Sequence, residues 1–156
     1  MIILDSSYNF VADLGTSIGD IYEVHFNANS NKLLVCGIGN DGYEIWTVPG
    51  WSKIHSDYSY GDNAKSCRFA NNGNYVVGSK DGRLRYYDSS YNLIWMNVRI
   101  PASEIVGVDF SPNSSYILMA SSTNNRGMSI FNVNSNVPVT DLSISNSIAV
   151  QSVDWS

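Results

Sequence analysis

The sequence predicts an all-β fold made of repeated four-stranded antiparallel units, on three grounds. Charged residues make up 15% of the 156 residues, against about 25% in an average globular domain. Eighteen Asn and 24 Ser take their place, and both residue types favour turns over helix because they hydrogen-bond nearby backbone. No stretch shows a 3.6-residue apolar period, whereas strand-like runs separated by turn residues recur along the whole chain.

A repeat of 41 to 45 residues organises the chain. Three stretches align (22–46, 65–88 and 106–132), and a fourth begins at 150–156. The pentapeptide DSSYN occurs at 5–9 and again at 88–92, a separation of 83 residues. Since 83 residues equal two repeats, both copies should occupy the same structural position in units two apart. An aromatic residue that ends the first strand marks each repeat, at Phe26, Phe69, Phe110 and Trp155.

Each unit is interpreted as four strands joined by tight turns. The first strand alternates polar and apolar residues up to its aromatic, and a turn rich in Asn, Gly or Pro follows. The second strand is almost wholly apolar, so both of its faces should be buried. Asp-Gly at 41–42 and 81–82, and Arg-Gly at 126–127, suit turns that need a positive φ. A third strand that carries aromatics and a looser fourth strand complete the unit. The second strands are expected at 33–37, 75–78 and 116–120, and the fourth strands at 53–59, 93–100 and 138–145.

Four-stranded units of this length are typical of the blades of a β-propeller. The chain is predicted to be a single partial β-propeller over 1–156, with 15 strands in three full blades plus two partial ones at the termini. Three arrangements stay open. The chain is a piece of a longer propeller, or it is completed by a second chain, either a copy of itself in a homodimer or a different protein, or it closes on itself as a four-bladed ring with a three-stranded blade. The units are a blade end at 1–17, blades at about 21–59, 64–100 and 104–145, and the first strand of a further blade at 150–156.

Two of the repeats, VDFSPNSSYILMASS (108–122) and VVGSKDGRLRYYD (76–88), resemble the WD-repeat family. The Gly-His that the family carries before the first strand is absent, so the family's usual buried Asp–His–Ser/Thr–Trp network cannot form intact. These departures mark a divergent member. The resemblance implies a rigid, non-catalytic interaction scaffold of the WD-repeat type, in a larger assembly with protein partners. The family's Trp-Asp after the third strand is replaced by Trp46-Thr47, Tyr87-Asp88 and Phe131-Asn132.

The sequence predicts no catalytic residue, metal ligand or cofactor. His25 and His55 are the two histidines, and neither has a partner at metal-ligand spacing. The net charge of −5 argues against general nucleic-acid binding, and no run approaches the roughly 18 apolar residues of a membrane span. Cys36 and Cys67 are expected to be buried free thiols in a reducing compartment. The N-terminus has no basic lead of a signal peptide, so the expected location is cytoplasmic.

A polar residue precedes each first-strand aromatic, at His25, Arg68, Asp109 and Asp154. Equivalent positions of adjacent blades are neighbours, so Arg68 and Asp109 are expected to be able to pair between blades. Two interpretations stay open: these residues orient the blades, or they line a functional channel.

Five of the nine Lys and Arg residues fall between positions 65 and 85, in the second blade. Lys65, Lys80 and Arg83 should lie on one rim of it and are the candidate partner-binding residues. They would dock an acidic surface of another protein. The alternative is ordinary solvated surface charge.

The alternative function is a carbohydrate-binding, lectin-like propeller that stacks aromatic side chains on sugars. Its candidate residues do not recur at one phase of the repeat, as one sugar site in every blade would require. They are Trp51, Tyr58, Tyr60 and Trp95.

Overall fold

Fourteen β-strands and no helix make up the described part of the chain in the computed structural model. The residues described are 1–39, 42–57, 60–98, 103–122, 127–142, 150 and 152–155. All strand pairings are antiparallel between neighbours in sequence. The predicted all-β class, with blade-like four-stranded sheets, is confirmed.

The strands form one two-stranded and three four-stranded sheets. The N-terminal sheet contains β1 (Ile2–Leu4) and β2 (Phe10–Asp13). Blade A contains β3 (Ile18–Phe26), β4 (Lys32–Gly39), β5 (Tyr43–Thr47) and β6 (Lys53–Ser56). Blade B contains β7 (Ala64–Phe69), β8 (Tyr75–Ser79), β9 (Arg83–Tyr87) and β10 (Leu93–Val98). Blade C contains β11 (Ile105–Phe110), β12 (Tyr116–Ser121), β13 (Met128–Asn132) and β14 (Pro138–Leu142).

Burial follows the order of the strands within each blade. Strand β8 is buried at all five positions, and β4 is buried from Leu33 to Gly37. The fourth strands β10 and β14 are mostly exposed. The prediction that apolar second strands are buried on both faces is therefore confirmed for β4 and β8, and β12 is buried at four of six positions.

The hydrophobic core lies between blades. Phe69 and Cys67 of β7 pack with Leu34 and Tyr43 of blade A in one buried cluster. Blade C packs on blade B in a second cluster, and the N-terminal sheet packs on blade A in a third. Each first strand of blades B and C therefore packs its apolar side chains against the blade that precedes it.

The two DSSYN segments form the same turn. In each, the Asp carboxylate accepts the backbone amides of the residues two and four positions on, at 2.8 and 2.9 Å. Tyr8 and Tyr91 both adopt a left-handed backbone, with φ of 63° and 72°. Hydrogen bonds, first of all from the Asn side chain four residues on, lower the pKa of Asp5 and of Asp88. The predicted equivalence of the two segments is confirmed, since one joins β1 to β2 and the other joins β9 to β10.

The strand predicted over 150–156 is not formed in the described residues of that range. The C-terminal tail, which we define as 150 and 152–155, carries no strand. The Trp155 amide of this tail donates a hydrogen bond to the Asp109 carboxylate of blade C. A β-ladder would require backbone hydrogen bonds to a second strand beside the tail. Several predicted features fall outside the described residues: Asp41, Tyr58, Arg126 of the Arg-Gly turn, and the ends of the fourth strands beyond 57, 98 and 142.

Candidate interaction site

The first strands β3 and β7 lie side by side and are linked by side chains of β3. Glu23 and His25 point the same way because side chains two apart on a strand share a face. The Cys67 amide donates to Glu23 Oε2 at 2.9 Å, and the Phe69 amide donates to His25 Nδ1 at 3.2 Å. Two side chains of blade A thus accept hydrogen bonds from two backbone amides of blade B.

Asp109 repeats this arrangement two interfaces later, between blade C and the C-terminal tail. The Trp155 amide donates to Asp109 Oδ2 at 2.7 Å, as the Phe69 amide does to His25. The residue before the aromatic in one blade therefore accepts the amide of the aromatic in the next repeat. Arg68 occupies the same position in blade B but has no acceptor atom, so it cannot follow this pattern.

Arg68 instead lies between two carboxylates. Its Nε is 3.0 Å from Asp109 Oδ1, and its Nη2 is 4.0 Å from Glu23 Oε1. The Nε–H forms no hydrogen bond within the described residues, so the contact with Asp109 is an ion pair without hydrogen-bond alignment. The structure therefore brings His25, Arg68 and Asp109 to the blade interfaces as blade-linking groups, whereas Asp154 is exposed and has no partner in the described part of the chain.

Burial shifts the pKa values of His25 and Glu23. Desolvation, with a smaller contribution from Arg68, lowers the pKa of His25 to about 4. The imidazole is therefore neutral near pH 7, which leaves Nδ1 free to accept the Phe69 amide. Desolvation raises the pKa of Glu23 above its usual value, although the Cys67 amide and Arg68 act against it.

A cavity of about 260 Å³ opens beside these residues. Lys65 lies at its edge, with Nζ 3.8 Å from the centroid of the Tyr22 ring and 3.5 Å from Glu104 Oε2. Positive and negative side chains therefore alternate around it. The lining residues are Tyr22, Glu23, Lys65, Arg68, Val106, Gly107, Val108, Ser152 and Val153.

The candidate partner-binding cations do not form an open positive patch. Lys65 is paired with Glu104, and Arg83 is paired with Asp81. Lys80 is exposed. Docking of an acidic protein at this rim stays a prediction, and Lys80 is the cation of the three for which the structure shows no carboxylate partner.

Sequence reasoning missed a set of buried polar residues in the third strands. Glu44 is fully buried; it accepts the Ser17 amide at 2.9 Å and Trp46 Nε1 at 2.9 Å. Lys53 Nζ lies 3.2 Å from Glu44 Oε1, the same oxygen that accepts the Ser17 amide. Burial raises the pKa of Glu44, but its hydrogen bonds outweigh burial and the net shift is downward. A carboxylate inside an apolar run already signals a buried, paired charge.

Blades B and C have different residues at the same position, two before the third-strand aromatic. Arg85 Nη1 donates to Ser79 Oγ at 3.2 Å, Nη2 donates to the Tyr60 carbonyl at 2.8 Å, and the guanidinium lies over the Tyr60 ring. Ser129 donates to Asp141 at 2.7 Å. Each blade thus replaces the missing family network with its own polar contacts.

Glu23, Cys36 and Cys67 bring potential metal-ligand atoms within 4.8 Å of one another. Both cysteines are buried free thiols. Burial raises the pKa of Cys67 well above its usual value, so the thiol stays protonated near neutral pH, and Glu23 already accepts the Cys67 amide. The arrangement favours blade packing over metal ligation.

The described aromatic residues considered for sugar binding, Trp51, Tyr60 and Trp95, do not share a surface. Tyr60 is 1% exposed. Trp95 packs against the core between blades B and C and donates its indole N–H to the Val133 carbonyl at 2.9 Å. Trp51 packs against the core between the N-terminal sheet and blade A.

Comparison with known protein families gives a match over one stretch of the chain. Residues 52–88 match the family model described as WD domain, G-beta repeat. The matched stretch runs from the start of the β6 region through β9, which includes the Asp-Gly turn and the Tyr87-Asp88 pair. A search of curated proteins found no match. WD repeats generally mediate protein interactions, and domains built from them are generally non-catalytic. The match confirms, over residues 52–88, the resemblance to the WD-repeat family seen in the sequence.

Proposed function

We propose that this protein is a non-catalytic interaction scaffold that binds other proteins, as a component of a larger assembly. The observation that carries the proposal is a concentration of exposed apolar side chains near the N-terminus. Of 16 exposed large hydrophobic residues in the described part of the chain, eight lie within the first 26 residues. A concentration of exposed apolar side chains is more typical of a protein-binding region than of ordinary surface, where such residues are scattered singly. We call this the N-terminal apolar surface; it comprises Ile2, Leu4, Tyr8, Phe10, Val11, Tyr22, Val24 and Phe26.

The polar residues at the blade interfaces also support a scaffold. Glu23, His25 and Asp109 are engaged with backbone amides of the next repeat, so their role is to hold blades together. The two buried thiols support an intracellular, reducing location. In the described residues, no helix has the length and apolar character to span a membrane.

The test compares protein capture by matched variants. Phe10→Asp changes the N-terminal apolar surface, where Phe10 is 67% exposed, and Ile94→Asp changes an exposed apolar residue of β10. We expect the wild type and Ile94→Asp to retain the same partner proteins from a lysate of the source cells, and Phe10→Asp to lose them. Equal capture of the same proteins by the wild type, Phe10→Asp and Ile94→Asp would refute the proposal that the N-terminal apolar surface binds partners. Binding to a glycan array that free sugar competes away would favour the lectin-like alternative.

A further inference from the structure

Blade A exposes first-strand side chains that blades B and C bury. Phe26 is 46% exposed, whereas Phe69 and Phe110, at the same position, are 5% and 7% exposed. Val24 is 45% exposed, and its equivalent Val108 is 1% exposed. In blades B and C these side chains pack on the preceding blade, so the exposed pair in blade A marks a position where the inner part of a blade fits.

The N-terminal sheet covers only the outer part of this face. Its Ile3 packs against the cluster that contains Leu33 and Trp46 of blade A. Its opposite side is exposed: Leu4, which the DSSYN alignment places at the position of Tyr87, is 51% exposed against 4%. The N-terminal sheet therefore behaves as the outer half of a blade whose inner half and preceding neighbour are both missing from the described residues.

The other end of the arc has the complementary deficit. Leu118 of blade C is half-buried, while Leu34 and Val76, at the same position of blades A and B, are fully buried under the following blade. An open groove of about 260 Å³ lies on this face beside Trp155. The groove is lined by Leu118, Met128, Ile130, Leu142, Asp154 and Trp155.

The hydrogen-bond pattern of the first strands matches the two ends to each other. His25 accepts the Phe69 amide and Asp109 accepts the Trp155 amide, so the next acceptor in the series is Asp154, which is exposed. The first aromatic in the series is Phe26, which pairs with β4 in the register that Phe69 has with β8. Its amide therefore points away from β4, towards the place of an acceptor that no described residue fills.

We propose that two copies of this chain associate head to tail and share blades. The C-terminal tail of one copy supplies the first strand of a blade, and β1 and β2 of the other copy supply its outer strands. Asp154 of one copy accepts the Phe26 amide of the other, and Leu4 packs in the groove beside Leu118. A second copy fits because one chain carries the first strand of such a blade at its C-terminal end and the third and fourth strands at its N-terminal end, so that each shared blade has three strands.

Made twice, this contact closes a ring of six full and two shared blades. Eight blades lie within the usual range for propellers, and a heterologous contact that closes gives a finite assembly instead of a filament. The inference rests on the proposed protein-binding role of the N-terminal apolar surface; it assigns the part around Leu4, Val24 and Phe26 to a second copy and leaves Phe10, on the outermost strand β2, for other proteins.

The test is the solution mass by light scattering across protein concentration. We expect the wild type to have twice the 17.2 kDa of one chain, and Phe26→Asp and Asp154→Ala each to weaken association at least about tenfold. The matched control is Ile94→Asp, whose position on β10 is 48% exposed; it should remain dimeric. All three positions are exposed, and circular dichroism would verify that each variant keeps the wild-type spectrum.

Three results would overturn the inference. The first is a wild type that is monomeric up to about 100 μM, a concentration at which a specific interface of standard size would be occupied. The second is a dimer that survives Asp154→Ala. The third is a dimer that Ile94→Asp also breaks. A monomeric wild type that still captures other proteins through Phe10 would refute the shared blade while leaving the scaffold function supported. Loss of capture with a stable dimer would refute the scaffold alone.

Discussion

Replacing Phe69 with alanine should destabilise the protein strongly, because this ring fills the interface between blades A and B. Phe69 is 5% exposed, its ring centroid lies 5.8 Å from that of Tyr75 in an edge-on arrangement, and it is 6.4 Å from the His25 ring. Truncation of such a buried aromatic costs about 3–5 kcal/mol, since transfer energy is lost and a cavity remains. Urea unfolding, followed by tryptophan fluorescence, measures the loss.

The same position in blade A provides the control. Phe26 is 46% exposed, so roughly half of the 1.5–3 kcal/mol burial energy of an apolar side chain is available to lose. Phe26→Ala should therefore cost about 1 kcal/mol in the monomer, measured at a concentration at which light scattering gives the mass of one chain. A Phe69→Ala loss below about 1 kcal/mol, or equal losses for the two variants, would refute the assignment of blade-to-blade packing.

Three further predictions follow from protonation and charge. The imidazole of His25 should titrate near pH 4 by NMR because burial lowers its pKa; its contribution to stability is complete above about pH 6.5 and falls as pH drops towards 4, and a midpoint near 6.5 would contradict the buried acceptor. The lowered pKa of Glu44 means that its carboxylate stabilises the fold above about pH 4.5 and loses this effect on further acidification. Glu44→Gln should therefore flatten the acid side of the stability profile and destabilise the protein near pH 7, and an unchanged profile would exclude this role. Reversal of Lys65, Lys80 and Arg83 to Glu should slow association with an acidic partner most at low ionic strength; unchanged binding there, with the fold intact, would place the interface elsewhere.

The repeat made most of the fold predictable. The spacing of Phe26, Phe69 and Phe110 placed the first strands, and the apolar runs after them placed the buried second strands. The paired DSSYN turns were predictable because one Asp carboxylate organises the whole turn locally. The prediction of a strand over 150–156 was wrong for the described residues of that range. A lone segment has the alternating pattern of a strand but no neighbouring strand with which to form a ladder.

The candidate site was less predictable because its contacts depend on distance in space. Alignment of the repeats found His25, Arg68 and Asp109 as the polar residues before the first-strand aromatics, yet the pattern gave no sign that His25 and Asp109 accept backbone amides of the next repeat. Lys65 and Arg83 appeared as surface charges because their carboxylate partners cannot be assigned from residue type alone. The exposure of Phe26 was also hidden, since its sequence context matches that of the buried Phe69.

Glu44, Arg85 and Ser129 are buried at the same position of blades A, B and C, and each makes different polar contacts. A blade moved to another place would separate a buried side chain such as Glu44 or Arg85 from its hydrogen-bond partner in the segment that enters the blade. Arg85 needs the Tyr60 carbonyl from the segment that enters blade B, and Glu44 needs Ser17 from the segment that enters blade A. Exchange of blades A and B would therefore leave both buried charged groups without these hydrogen bonds, so the order of the two blades is not interchangeable.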